Sequence, residues 1–305
     1  MKSLMYHKVK NFNNMFKYEN FVSVKNFRKN INFLKKYYSI VNCFDMFNDE
    51  IKNSDKKIFL TFDDGLRCHF DYVYKILKDN NINAIFYICN LPLEKKKILT
   101  VHKIHLILAK FKSNHVIKIL HNILERKMLK YSPANYYSYQ NLKDINNEFE
   151  LKRILNYQIK NEFRDYVVNK LFNFFFYDIS EKNICTEYYL SYKEIKEMSR
   201  NNMIIGSHTD THPVLTNLEE SEWKKELSES VNKFSEYNPD RLKTFCYPYG
   251  VKKTYNKKMK EFLNNMDVSF SVIAEDKNIT NKDLKKNRQE LPRFDCSNFF
   301  QFEKS

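Results

Sequence analysis

The sequence predicts an α/β fold built on a parallel sheet and interrupted by a helical segment. Three observations lead there. The apolar run Lys57–Phe62 stops abruptly at Asp63-Asp64-Gly65, a helical pattern follows around Tyr72–Asn80, and a second apolar run occupies Asn83–Cys89. Strand, helix and strand in that order form a βαβ unit, whose strands pair in parallel. The alternation then stops from about 91 to 190, where strand signals are nearly absent, and resumes at Met203. Finally, all three glycines, at 65, 206 and 250, close or border a predicted strand.

The elements follow in order. Ser3–Tyr6 reads as a short buried strand that delivers His7. Within Val24–Tyr38 the apolar residues Phe27, Ile31, Phe33 and Leu34 recur at helical spacing, with Ser23 placed to cap the helix. Lys57–Phe62 is rich in aromatic and branched residues, as strands are. Helical patterns occupy Ile98–Phe111, Asn114–Tyr131, Asp144–Tyr157 and Glu162–Tyr177; the same stretch holds His102, His105, His115 and His121. A strand at Met203–Ile205 ends at Gly206, and a helix is expected over Glu219–Tyr237, whose first acids suit the positive end of a helix. A strand at Lys243–Cys246 runs into Tyr247-Pro248-Tyr249-Gly250. A helix over Tyr255–Asn264, a strand over Val268–Ile273 and a last strand at Leu291–Phe294 complete the pattern. The expectation is a single domain over 1–305 with a helical insertion at about 91–190.

Composition sets limits. The chain has 305 residues, 43% of them hydrophobic, with 26 Phe and 21 Tyr, enough for a large aromatic core. Three Gly stand where an average chain would carry about twenty, so each survivor answers a backbone need. The net charge of +15 suits an anionic partner, such as the surface of an anionic membrane or a glycolipid. The lysines are spread along the chain, however, and no nucleic-acid-binding motif is present, so no nucleic acid is expected. Six scattered cysteines lack a C-x-x-C pair, Met1–Lys10 has no apolar signal region, and no run of 18 apolar residues occurs. A reducing, cytoplasmic location is the expectation.

The residues able to carry chemistry cluster at strand ends: Asp63, Asp64, His208, His212, Tyr249 and Arg293. In an α/β barrel the C-terminal ends of parallel strands form one face, so these groups would converge. One carboxylate and two imidazoles make a 2-His-1-carboxylate metal set with open positions. His208 and His212 are four apart, which on a helical turn places both on one face. Asp63 and Asp64 are adjacent and point in different directions along an extended strand. One can therefore serve the metal and the other the attacking water.

On these residues the chain resembles the polysaccharide deacetylases, the family of the NodB-homology domain or carbohydrate esterase family 4. Thr61-Phe62-Asp63-Asp64-Gly65 matches the first motif of that family, and Ser207-His208-Thr209-Asp210-Thr211-His212-Pro213 is similar to the second. Phe245-Cys246-Tyr247-Pro248-Tyr249-Gly250 resembles the third; Leu291-Pro292-Arg293 and Met5-Tyr6-His7 resemble further segments of such domains. The resemblance covers about 1–90 and 185–295. It implies an incomplete (β/α)7 barrel of the NodB-homology type, with the helical stretch outside the common core.

It also implies roles. Asp63 would be the general base; Asp64, His208 and His212 would bind a divalent metal, zinc first, with cobalt, nickel or iron as alternatives. The Tyr249 N–H would serve the oxyanion, and Tyr247 and Pro248 the substrate. The reaction implied is removal of an N-acetyl group from an amino sugar of a surface glycan or its lipid- or nucleotide-linked precursor. Arg293 would orient Asp63 or bind substrate. Many members carry a late histidine that protonates the leaving amine, and no histidine follows His212 here. His7 is the first substitute, with His69, His102 and His105 behind it. A deformylase, an O-acetyl esterase or an inactive carbohydrate-binding relative are the alternatives.

Overall fold

In the computed structural model, which describes residues 1–16, 18–42, 56–130 and 148–303, the chain falls into two compact units. One is drawn from 1–11, 21–96 and 185–305, the other from 12–20 and 97–184.

The first unit is framed, among its described residues, by one sheet of eight parallel strands: β1 (Lys2–Tyr6), β2 (Ser39–Ile40), β3 (Lys57–Phe62), β4 (Ile85–Ile88), β5 (Ile204–Ser207), β6 (Thr244–Cys246), β7 (Phe270–Val272) and β8 (Phe294–Asp295), with a separate short parallel pair, Val9–Lys10 and Val22–Ser23. Their order is β8-β1-β3-β4-β5-β6-β7, with β2 beside the start of β3. One short segment touches both edges of this sheet. Leu291 bridges Val272 of β7, and three residues later Phe294 pairs with Leu4 of β1. The sheet thus curls into the expected incomplete barrel, with the 291–295 segment lying across its seam.

Register explains the core. Tyr6 pairs with Phe62, and Phe62 with Phe86, so these rings stand at one level on one face of the sheet. They stack at 5.3 and 5.0 Å, and Phe27 meets Tyr6 and Phe62 edge-on at 5.3 and 5.9 Å. Each such ring removes about 150–250 Å² from water. Phe27 comes from the Val24–Tyr37 helix, where Ser23 Oγ accepts a hydrogen bond from the Asn26 N–H at 3.1 Å and Phe27, Ile31 and Leu34 are buried. Phe33 lies half-buried on the flank.

Two elements of the first unit depart from expectation. The helix expected at Tyr72–Asn80 begins earlier, as a π turn over His69–Tyr74 continued by Lys75–Asp79. The wider turn carries His69 into the core, its ring 5.7 and 5.8 Å from Phe62 and Phe86. The last strand is Phe294–Asp295, preceded by the lone Leu291 bridge, because Pro292 has no N–H to give the ladder.

Gly65 sits at φ +64°, and an added Cβ would lie 2.7 Å from Ile88 Cγ2. Gly65→Ala is therefore expected to destabilise the fold by about 1–3 kcal/mol, through backbone strain and overpacking together. Urea unfolding measures this; a change below about 0.5 kcal/mol would remove the argument.

In the second unit the Thr100–Lys110 and Ser113–Ile123 helices pack against Asn161–Phe175. Phe111 packs on Phe175 at 4.6 Å and Phe172 stacks on Phe176 at 4.7 Å. The helix expected to reach Tyr131 stops at Ile123, and the one expected over 144–157 lies partly outside the described residues. Residues 12–20 also belong to this unit, which no sequence pattern indicates; the Tyr18 N–H donates to the Ala109 carbonyl at 3.0 Å. Among the described residues no helix is long and apolar enough to cross a membrane.

Candidate active site

The first unit gathers its reactive groups, Arg293 apart, at the C-terminal ends of the strands. Asp63 and Asp64 follow β3, His208 follows β5, Tyr247–Tyr249 follow β6, His7 follows β1, and Arg293 directly precedes β8. The strand ladder runs into this edge, with the Asp63 N–H bonded to the Tyr6 carbonyl and the His208 N–H to the Ile88 carbonyl, both at 3.0 Å. Past these bonds the chain turns sharply. Asp64, Thr209, His212 and Tyr249 all have positive φ, at 78°, 67°, 59° and 64°. Such backbones cost about 1–3 kcal/mol each in non-glycine residues and persist where surrounding structure holds them.

The two aspartates face different partners. Asp63 is 2% exposed and receives a two-pronged ion pair from the buried Arg293, Nη1 to Oδ1 at 2.7 Å and Nη2 to Oδ2 at 2.8 Å. Arg293 also donates to Thr61 Oγ1 at 2.9 Å and to the Ile273 carbonyl at 3.2 Å. Burial is the largest influence on the Asp63 carboxyl and pushes its pKa up. The charge and hydrogen bonds of Arg293 outweigh that, helped by His208 and His7, and leave it below the ordinary value. Asp63 is therefore an ionised carboxylate at neutral pH, and Arg293, 1% exposed, holds both of its oxygens.

Asp64 turns instead to the histidines. Its Oδ1 lies 3.5 Å from His208 Nε2 and 3.6 Å from His212 Nε2, and the three ligand atoms fall within 4.8 Å of one another. Two ligands bonded at about 2.1 Å to one tetrahedral ion stand about 3.4 Å apart, so the spacing fits a divalent metal. The His208 Nδ1–H donates to the Cys246 carbonyl at 2.7 Å, which fixes the tautomer and turns the Nε2 lone pair toward Asp64. Burial holds the His208 pKa below its usual value and keeps the ring neutral, as a ligand must be. Asp63, His208 and Cys246 form a second close trio. It is a poorer set: Arg293 holds both Asp63 oxygens, and burial keeps the Cys246 thiol protonated.

His208 and His212 do not share a helical turn. Residues 208–212 form a loop in which positive φ at Thr209 and His212 folds the chain back, and the rings meet edge-on at 4.8 Å. The clamp on this loop is Glu226, which the sequence reading missed. Its carboxylate accepts from the Asp210 N–H at 2.8 Å, the Thr211 N–H at 2.9 Å and the Thr211 hydroxyl at 2.6 Å. The available signal was position: Glu226 is three residues after Trp223 and four before Ser230, both on the buried face of the Glu220–Ser235 helix. Glu226→Ala is expected to weaken divalent-ion binding by about 10–100-fold while the fold survives. Chelator competition on the purified protein measures it, and unchanged affinity would end that role for Glu226.

The remaining residues are placed as follows. His7 is 45% exposed, with Nε2 4.0 Å from Asp63 Oδ2. His69 is buried; its Nε2–H donates to the His7 carbonyl at 2.6 Å, and burial pushes its pKa down to about 4. It is a core group that steadies His7. The Tyr249 ring meets His212 edge-on at 5.0 Å. Tyr247, expected at the substrate, is 1% exposed and stacks on Tyr255 at 4.4 Å, so its side chain belongs to the core because the strand direction of β6 carries it inward. Pro248 beside it is also buried. His102 and His105 belong to the other unit, with rings 5.8 Å apart.

The model of the polysaccharide deacetylase family matches residues 50–118 and 167–271, more than half of the chain, including Asp63, Asp64, His208, His212 and Tyr249. The chain belongs to the polysaccharide deacetylase family. That places it among hydrolases that remove acetyl groups from carbohydrates. No curated protein matches its sequence. Among solved structures it is similar to the deacetylase PplD of Streptococcus pyogenes, solved in complex with acetate, at 14% identity and TM-score 0.60 over 99% of this chain and 96% of that one. IcaB from Ammonifex degensii is similar at 15% identity and TM-score 0.57, over 99% and 95%. A de-N-acetylase from Aggregatibacter actinomycetemcomitans is similar at 14% and 0.52, over 96% and 93%. At these identities the likeness is one of fold. Arg293 and His7 lie outside the residues the family model matches.

Proposed function

We propose that this polysaccharide deacetylase family member hydrolyses the N-acetyl group of an amino sugar in a surface glycan or its lipid- or nucleotide-linked precursor, in a metal-dependent reaction. The observation that carries this is the adjacency of two unlike carboxylates, one clamped by Arg293 and the other facing His208 and His212.

Asp64, His208 and His212 would hold the divalent ion, zinc first, with cobalt, nickel or iron able to replace it. When bound there, such an ion supplies a lowered pKa for water and polarisation of the acetyl carbonyl. Asp63 accepts the proton of the attacking water; its ion pair fixes the carboxylate's direction. The Tyr249 N–H donates to the developing oxyanion. As the C–N bond breaks, His7 protonates the leaving amine, which its exposure and its 4.0 Å distance from Asp63 support. Among the described residues no disulfide joins the cysteines, which supports a reducing, cytoplasmic setting. The net charge of +15 supports a weak peripheral contact with an anionic membrane or glycolipid.

The test is acetate release from N-acetylglucosamine oligomers, with N-formyl and O-acetyl analogues alongside, before and after chelation and with divalent ions restored. Acetate released from the N-acetyl substrate, lost with chelator and recovered with metal, is the expected result. Turnover confined to the formyl or O-acetyl analogue would move the assignment to those reactions.

A further inference from the structure

A groove of about 450 Å³ lies in the first unit, and none of the residues of the candidate active site lines it. Its walls come from the Lys257–Asn265 helix, the end of the Asn281–Lys286 helix and the turn Arg288–Glu290. Lys257, Lys260, Lys285, Lys286 and Arg288 line it, half of its ten lining residues, whereas Lys and Arg make up 52 of 305 residues in the chain. The lysine richness of the sequence therefore does not account for it.

Two carboxylates, Glu261 and Glu290, also line the groove, and both are engaged. Glu290 pairs with Lys260 at 2.9 Å and Glu261 with Lys257 at 3.6 Å. Among the described residues Lys285 and Lys286 have no ion-pair partner. Their position also complements the negative end of their own helix, but Lys257 and Lys260 reach the same groove from the Lys257–Asn265 helix and Arg288 from the turn that follows, so three elements bring cations together here. The rest of the lining is amide: Asn264, Asn287 and Gln289.

The occupant follows from this chemistry. No apolar or aromatic side chain lines the groove, so it offers nothing to an acyl chain and no platform for stacking a base. Its volume falls within the range of about 300–1,000 Å³ usual for small-molecule sites. Ammonium groups from separate elements around one groove suit a compact ligand with several negative oxygens, which relieves their mutual repulsion. We propose that this groove binds a small polyanion carrying two or more phosphate groups, at a site separate from the hydrolytic centre and independent of the reading given for that centre.

Inorganic tripolyphosphate, titrated calorimetrically into the full chain at low salt, is the probe. Saturable binding at one site is expected, weakening as salt rises. Lys285→Gln with Lys286→Gln should weaken it by about tenfold or more, given the strength of charge-assisted contacts. A control pair of exposed lysines on the Val24–Tyr37 helix, Lys35→Gln with Lys36→Gln, should leave it unchanged. Absence of saturable binding would overturn the proposal. So would binding insensitive to the Lys285 and Lys286 changes, the result expected if tripolyphosphate merely captured a metal ion. Equal losses in both double variants would mean diffuse attraction, and preference for an oligogalacturonate would reassign the groove to carboxylate polymers; either result overturns it too.

Discussion

Arg293→Met is expected to destabilise the protein by about 3–5 kcal/mol at neutral pH, because it leaves Asp63 charged, buried and without its counter-ion. Arg293 and Asp63 are only 1% and 2% exposed, so water cannot take over the solvation of either. The pH dependence carries the sign. With Arg293 present the Asp63 pKa lies below its ordinary 3.8. Its ion pair therefore stabilises the fold above that value, and the contribution is lost as pH falls through the folded pKa. Without Arg293, burial, the largest influence, is opposed only by His208 and His7, and the pKa rises. The variant should then recover part of its deficit as acid neutralises Asp63. Guanidinium unfolding of both proteins at about pH 7 and about pH 5 measures this, with the gap between them narrowing at the lower pH. A gap that stays constant would mean that lost packing, not charge, dominates.

Asp63→Asn should lower the rate of acetate release by about 10²–10⁴-fold, the usual range for a positioned general base, while the protein still takes up its divalent ion. Asp64→Asn should lose the ion and the activity together, since it removes the only carboxylate of the ligand trio. The contrast is the informative result, because both changes replace one carboxylate oxygen by an NH2 group. Elemental analysis beside the acetate assay separates them. If Asp63→Asn keeps more than about a tenth of wild-type turnover, Asp63 is not the base. If Asp64→Asn keeps a full equivalent of metal, the trio is not the site.

Much of this arrangement is written locally in the chain. The run Lys57–Phe62 ending at Asp63-Asp64-Gly65 reads as a strand ending in a turn, and it forms one. The convergence of Asp63, His208 and Tyr249 follows once the strands are parallel, since parallel strands present their C-terminal ends on the same side. What escaped the sequence is non-local or depends on backbone shape. The Asp63–Arg293 pair joins residues 230 positions apart, so no periodicity reports it; orienting Asp63 is one of two roles the sequence leaves open for Arg293, and only the fold chooses between them. Spacing alone suggested a helical turn for His208 and His212, where positive φ at Thr209 and His212 makes a loop. The alternation around Tyr247 did not reveal that its ring stacks with Tyr255 inside the core. Glu226 looked like one more acid on a charged helix, and only the fold of the opposite loop gives its carboxylate three donors.

The seam segment also imposes an order of events. Leu291 and Phe294 join the two edges of the sheet, and Arg293 between them supplies the positive charge that Asp63 needs. Ribosomes make a chain from its N-terminus, so Asp63 exists long before its partner emerges. Until that partner docks, the carboxylate can be hydrated or protonated, but it cannot be buried as an anion without large cost. Closure of the sheet and assembly of the hydrolytic centre are therefore one late step. A nascent or truncated chain lacking 291–295 would have an open edge and no clamped carboxylate.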